Sequence, residues 1–247
     1  METDILVFGA HPDDTELCCG GTIAKLVRQG RNIGVVDLTR GEMGTRGTPE
    51  TRMKEAELAA GILGLSSRDN LGFPDSRIEN SRACQLPVIE RVRFYKPHIC
   101  IIGPPHDRHP DHGDASRLLT DALFYSGLRK IETRGPEGRL QLPHRPAHIL
   151  HYMQDQPFEP DFIFDITETL TIKEKAVRAF ATQFNVEDPG KEPETYISGR
   201  EFFEGIRARA RHYGHLGGVL YGEPFKYMQK PFPVTSFDLF DQTSPVR

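Results

Sequence analysis

Two short stretches of the 247-residue chain crowd ionisable side chains together: "AHPDD" at residues 10–14 and "HDRHPDHGD" at residues 106–114. Divalent zinc favours imidazole and carboxylate ligands, and a catalytic site uses three protein ligands while leaving one position open for water. His11 and Asp14 stand three residues apart, so a helical turn after Pro12 brings both side chains to one point. His109 and His112 have the same i, i+3 relation, and one of the two completes a two-histidine, one-carboxylate set. Asp13, Asp111 and the other histidine then stay uncommitted. An aspartate beside a metal-held water is placed to act as general base, and a histidine held by a carboxylate carries positive charge toward a developing oxyanion. The combination fits metal-assisted hydrolysis. An acid directly after a strand often does no more than cap a helix. A cap, however, does not require matching histidines elsewhere in the chain.

For the two clusters to act together, the elements before them must deliver them to one place. Asp4 to Ala10 is a short apolar strand, and "GGTIAKLVRQG" sets Ile23, Leu26 and Val27 on one helical face before stopping at Gly30. Asn32 to Thr39 reads as a second buried strand. Pro49 then opens a helix in which Met53, Ala56, Ala60 and Leu63 share a face. "NLGFPDS" is at best a weak third strand, Leu86 to Pro97 a helix, and His98 to Gly103 a strong strand. Further strands are predicted at Ala147 to Met153 and Phe162 to Ile166, with a helix over "TIKEKAVRAFATQ". Asn185 to Ser198 is polar and breaker-rich, the pattern of a long lid-like loop. This alternation predicts an α/β fold: one domain over residues 1–247, a mostly parallel doubly wound sheet with helices on both faces. In the usual strand orders the first and fourth strands are neighbours at the topological switch point, so both clusters should face one crevice.

Composition removes several other functions. The net charge is −4 and there is no long run of lysine or arginine, which argues against nucleic acid as a partner. No 18 apolar residues occur together and the start lacks a basic, apolar leader, so a cytoplasmic protein without a membrane partner is expected. The four cysteines lack paired CxxC spacing and read as reduced thiols, with Leu17, Cys18 and Cys19 packed under the sheet. Tyr213, Tyr221, Glu223 and the histidines outside the two clusters read as architectural. A competing reading takes the "CCGG" turn as an anion-binding helix start in a nucleotide-binding module. Against it, the chain lacks G-x-G-x-x-G here, and the carboxylates of "GAHPDD" would repel a pyrophosphate.

"AHPDD" after the first strand and "HPDH" after the fourth, in that order, resemble the PIG-L/LmbE family of zinc-dependent N-acetylglucosamine deacetylases. "RGEMGTRGT", "TRMKEAELAA" and the late "YGEPF" extend the resemblance over most of the chain. "TRGEMGTRGT" and "DRHPDHGDAS" are most similar to the bacillithiol-pathway branch, which deacetylates N-acetylglucosaminyl malate. The resemblance implies that His11, Asp14 and His112 bind zinc, that Asp13 is the base, and that His109, oriented by Asp111, stabilises the oxyanion or protonates the leaving amine. It implies that Tyr196 closes over the tetrahedral intermediate, and that the protein is a Rossmann-like homo-oligomer, often a hexamer. Ferrous iron suits the same ligand set. Arg46 and Arg108 are candidates for the substrate's carboxylates, or for surface ion pairs. Arg52 either approaches the site or pairs with Glu55 on the helix surface.

Overall fold

The computed structural model describes residues 2–184, 193–229 and 231. Its first half runs β1 (Ile5–Gly9), α1 (Asp14–Arg28), β2 (Ile33–Thr39), α2 (Pro49–Leu63), β3 (Ser67–Phe73), α3 (Arg82–Tyr95), β4 (Ile99–Ile102) and α4 (Pro110–Tyr125). The second half adds β5 (His148–Tyr152), β6 (Phe162–Asp165), α5 (Leu170–Arg178), α6 (Ala181–Phe184), α7 (Arg200–Leu216) and β7 (Gly222–Lys226).

Every residue of β1 is buried, so its alternating side chains feed two cores. Ile5 and Val7 join Ile33, Val35 and Ile101 on one face, beneath α1, α2, α5 and α7. Leu6 and Phe8 join Val36, Leu38, Cys100 and Ile102 on the other, beneath α3 and α4. The sheet order is β3-β2-β1-β4-β5-β7-β6, and β7 alone runs antiparallel to its neighbours. Val7 is in register with Val35 on one side and Ile101 on the other. The chain therefore builds outward from β1 to β3 and then crosses back to β4. That reversal opens the switch-point crevice at the carboxyl ends of β1 and β4, where both clusters begin. Gly9 makes the first exit turn possible, because a Cβ there would lie 2.9 Å from the His11 carbonyl oxygen.

Several elements differ from the sequence reading. The weak third strand is a full edge strand, β3, starting at Ser67. Its pattern is obscured because Arg68 turns inward and donates to Asp37 (2.8 Å) and Glu16 (2.5 Å), both buried. Charge occupies a face where apolar alternation was sought. Helix α3 starts at Arg82 rather than Leu86, since the Ser81 hydroxyl caps it by accepting from Cys84 N. The single helix expected over residues 171–183 is divided into α5 and α6. Helix α7 escaped the reading although Phe203, Ile206, Ala210 and Tyr213 form its buried stripe. Cys18, Cys19 and Cys100 are buried free thiols. No helix of the described residues is long and apolar enough to cross a membrane.

Candidate metal and catalytic site

The last residues of β1 and β4 deliver three imidazoles to one point: the rings of His11, His109 and His112 lie 4.9–5.5 Å apart between centroids. Carboxylates can only accept hydrogen bonds, so a ring nitrogen facing one carries the hydrogen and the other nitrogen presents a lone pair. In His11, Nε2 lies 3.0 Å from Asp75 Oδ1 and 3.2 Å from Asp111 Oδ2, leaving Nδ1 directed at Asp14 Oδ2, 3.6 Å away. In His112 the roles are reversed. Its Nδ1 lies 2.5 Å from Asp107 Oδ2, and its Nε2 faces Asp14 Oδ1 at 3.5 Å. Two lone pairs and a carboxylate thus converge.

What occupies the convergence point is informative. The Gln154 side-chain nitrogen lies 2.5 Å from Asp14 Oδ1 and 3.0 Å from His112 Nε2, one donor serving two would-be ligands. Among the described residues Gln154 Oε1 is buried without a partner, a cost accepted at a place that calls for positive charge. A divalent cation fits His11, Asp14 and His112. A second grouping, His11, His109 and Asp111, is also compact. It fits less well, because the His11 Nε2 hydrogen is already committed to carboxylates. Burial alone pushes the Asp14 carboxyl up, but His112 and His11 hold it well below the usual carboxylate range. Burial alone pushes His11 down, yet its bonds to Asp111, Asp14 and Asp75 raise it well above an ordinary histidine.

Asp13 stands at the helix start with φ 114° and ψ −25°, left-handed backbone that costs a non-glycine residue about 1–2 kcal/mol. Its side chain makes no capping bond, so the simple cap reading gives way. Instead Arg52 Nη2 donates to Asp13 Oδ2 at 2.9 Å and also to the Pro12 carbonyl. Burial pushes the Asp13 carboxyl up to about 7, against the pull of Arg52. A carboxyl titrating near neutrality can both take and return a proton. Arg52 does not pair with Glu55, whose oxygens accept from Thr182 N (2.7 Å) and Oγ1 (2.9 Å).

The structure corrects the expected Asp111–His109 partnership. The Asp111 carboxylate accepts from His11 Nε2 and Ser76 N (2.8 Å), and it is the Asp111 backbone N–H that reaches His109 Nδ1 at 3.2 Å. With Nδ1 accepting, the His109 hydrogen sits on Nε2. Burial lowers this histidine below its ordinary value, and the neighbouring His11 and His112 act in the same direction. Among the described residues no carboxylate is hydrogen-bonded to His109, so the counter-ion expected to hold it as a cation is not in place.

These groups line a cavity of about 790 Å³. Residues 185–192 of the expected lid lie outside the described residues, while Glu194 to Ile197 line the mouth. Tyr196 is exposed there, its hydroxyl donating to Asp155 Oδ1 at 3.3 Å and its ring 4.6 Å from the Arg108 guanidinium carbon. Arg108 lines the cavity and at the same time donates to Asp155 Oδ2 at 2.8 Å. Arg46 does not reach the rim as expected. It is buried off the cavity wall, where its carbonyl accepts from the Gln183 side chain at 2.8 Å.

The anion-binding reading of "CCGG" is also corrected. That stretch lies inside α1, where a break at Cys19 (φ −138°, ψ 19°) interrupts the helix. The amides of Gly21 and Thr22 donate to the protein's own Glu223, at 3.1 and 2.7 Å, and Lys173 Nζ completes the pairing at 2.5 Å. Asp75, Asp107 and Gln154 were not singled out from sequence, although Asp107 stood within the second cluster.

Comparison with known proteins agrees with this geometry. Residues 6–123 match the family described as PIG-L, GlcNAc-PI de-N-acetylase. The diacetylchitobiose deacetylase of Thermococcus kodakarensis is 28% identical over 234 residues, spanning 91% of this chain and 82% of that protein. A 1D-myo-inositol 2-acetamido-2-deoxy-alpha-D-glucopyranoside deacetylase of Saccharomonospora viridis is 30% identical over 233 residues, spanning 74% of this chain and 85% of that one. Among solved structures, the conserved protein TT1542 from Thermus thermophilus superposes with a TM-score of 0.81 at 38% identity, covering 94% of this chain and 98% of that chain.

Proposed function

The chain belongs to the PIG-L family of deacetylases, and from that premise we propose that it hydrolyses the N-acetyl group of an N-acetylglucosaminide, with N-acetylglucosaminyl malate as the preferred conjugate. The observation that carries the reading is the placement of Asp13, a buried carboxyl poised near neutrality directly beside the His11, Asp14 and His112 donor set. His11, Asp14 and His112 would hold a divalent cation, zinc or in its place ferrous iron, which would supply Lewis acidity for the hydrolysis.

The chain's own groups account for the proton movements. Asp13 takes a proton from the water as its oxygen attacks the acetyl carbon. His109, neutral and carrying its hydrogen on Nε2, donates to the oxygen that becomes negative, as preorganised donors do in acyl transfer. Protonated Asp13 then returns its proton to the amide nitrogen as the C–N bond breaks. Acetate and a free amine result. Arg52 keeps Asp13 aimed throughout, and Asp111 with Asp75 holds the His11 ring.

The malate conjugate is favoured by guanidinium groups in the cavity wall, whose planar fork suits a carboxylate. The named relatives act on a chitobiose and on an inositol glucoside, both without one. Acetate release should be measured across N-acetylglucosaminyl malate, the inositol-linked analogue, N,N'-diacetylchitobiose and free N-acetylglucosamine. The malate conjugate is expected to show the highest kcat/KM. A preference for a neutral conjugate removes the malate assignment, and no acetate from any of the four removes the deacetylase.

A further inference from the structure

Four cationic side chains reach the cavity wall: Arg52, Arg108, Lys173 and Arg209. Three are neutralised in place, Arg52 on Asp13 (2.9 Å), Arg108 on Asp155 (2.8 Å) and Lys173 on Glu223 (2.5 Å). Among the described residues no carboxylate pairs with Arg209. Its Nη1 donates instead to the backbone carbonyl of Gln154, engaging one of five guanidinium donors with a neutral acceptor. A half-buried guanidinium has given up part of its hydration, and an uncharged carbonyl returns little of that loss.

Gly205, one turn earlier on the same face of α7, also lines the cavity, and among the described residues nothing lies within 4 Å of where its Cβ would stand. Gln154, whose carbonyl Arg209 holds, touches Asp14 and His112 with its side chain, so the cation sits one residue away from the reacting centre. Its field is felt there. Burial and Asp14 raise the Cys18 thiol well above its ordinary value, and Arg209 is the largest influence in the opposite direction. Glu194 and Glu201, by contrast, line the mouth near the first turn of α7. Arg209 lies eight residues beyond Glu201, about 12 Å further along the helix axis. An anionic group is therefore repelled near the start of α7 and attracted deeper in.

We propose that Arg209 is a specificity-determining residue that binds an anionic group, carboxylate or phosphate, on the aglycone of the substrate. This deepens the deacetylase reading and rests on it for the sugar half of the ligand. The guanidinium fork can meet either group with two parallel bonds while keeping its hold on Gln154.

The test uses the metal-loaded protein and two variants. Arg209→Gln keeps an amide able to donate to the Gln154 carbonyl, and Arg209→Lys keeps the charge without the fork. Each is titrated calorimetrically with glucosaminyl malate, glucosamine 1-phosphate and glucosamine, which carry no acetyl group to be turned over. Arg209→Gln should weaken binding of the anionic ligand about 10- to 100-fold while glucosamine stays within about 2-fold, and Arg209→Lys should recover part of the loss. Whichever of malate and phosphate loses more is the aglycone chemistry the residue reads. On the corresponding N-acetyl substrate KM should rise by the same factor with kcat unchanged. Equal weakening of all three ligands, or no weakening of the anionic two, overturns the assignment. Failure of wild-type protein to release acetate from any substrate instead overturns the deacetylase reading, and the calorimetric ratios still decide Arg209.

Discussion

Replacing Arg52 by glutamine isolates one charge next to the proposed base. The amide can still donate to Asp13, so the hydrogen bond is kept and the cation is lost. In the native site Arg52 Nη2 lies 2.9 Å from Asp13 Oδ2, with the two side chains only 5% and 7% exposed. At that distance and an effective dielectric of about 20, the attraction is at most ~6 kcal/mol, and relaxation reduces what is expressed to a shift of about 1–3 pKa units. The direction follows from the ionised form being the base: without Arg52, burial acts unopposed and Asp13 titrates above its native value of about 7. The acidic limb of kcat/KM against pH must then move to higher pH. A rise of about 1.5 units would slow the variant about 30-fold at pH values below the native limb, a loss recovered in alkaline buffer. A bound cation lowers the absolute position of the limb in both proteins, so the difference between them is the quantity to measure, with metal content determined in parallel. Coincident acidic limbs would refute the electrostatic role. An equal loss at every pH would leave Arg52 only the task of holding the Pro12–Asp13 turn.

Three further outcomes are expected. His112→Ala should strip the metal, whereas Asp13→Asn should keep it and lose about 100-fold or more in turnover, with metal analysis and kinetics separating the two; an Asp13→Asn protein of normal turnover would remove the base assignment. Asp111→Asn should weaken metal affinity about 10- to 100-fold, because its carboxylate holds His11 Nε2, and should leave the alkaline limb in place; a shifted limb at unchanged affinity would restore its partnership with His109. Glu223→Gln should cost about 3–5 kcal/mol by leaving Lys173 buried without its anion, read as a lower denaturation midpoint at unchanged slope; a stability within 1 kcal/mol of wild type, on the order of a surface substitution, would contradict that account.

How far the fold could be read from the sequence depended on where the burial pattern was apolar. The strands β1, β2 and β4, buried throughout except for Ile99, announce themselves as largely apolar runs, and the alternation of strands and helices then brings the two clusters to one switch point. Strand β3 was underread because its inward face is spent on an arginine between two acids. Helix α7 carries a regular apolar stripe, yet it follows a breaker-rich loop and its surface is dense with arginine and glutamate, which masks the stripe unless its period is counted.

The site divides along the same physical line. His11 with Asp14 and His109 with His112 are local i, i+3 pairs, each closed by a turn at a helix start (Asp14 N to His11 O, 3.4 Å; His112 N to His109 O, 3.1 Å), so the proximity within each pair is visible without a structure. Their supports are not local. Asp75 comes from the turn after β3, Asp107 from the loop after β4 and Gln154 from the residues after β5, three separate exits that meet only because of the order in which the sheet is assembled. The one error about charge has a local cause. His109 and Asp111 are two residues apart at a helix start, and on a helix i and i+2 do not face each other, so the carboxylate turns toward His11 while its own amide caps onto the imidazole. A neighbour in the sequence had been taken for a partner in space. The consequence is chemical as well as geometric, because the same arrangement that turns the Asp111 carboxylate away from His109 fixes the histidine's hydrogen on Nε2. In the proposed reaction this leaves His109 as a hydrogen donor toward the developing oxyanion and the proton traffic to Asp13.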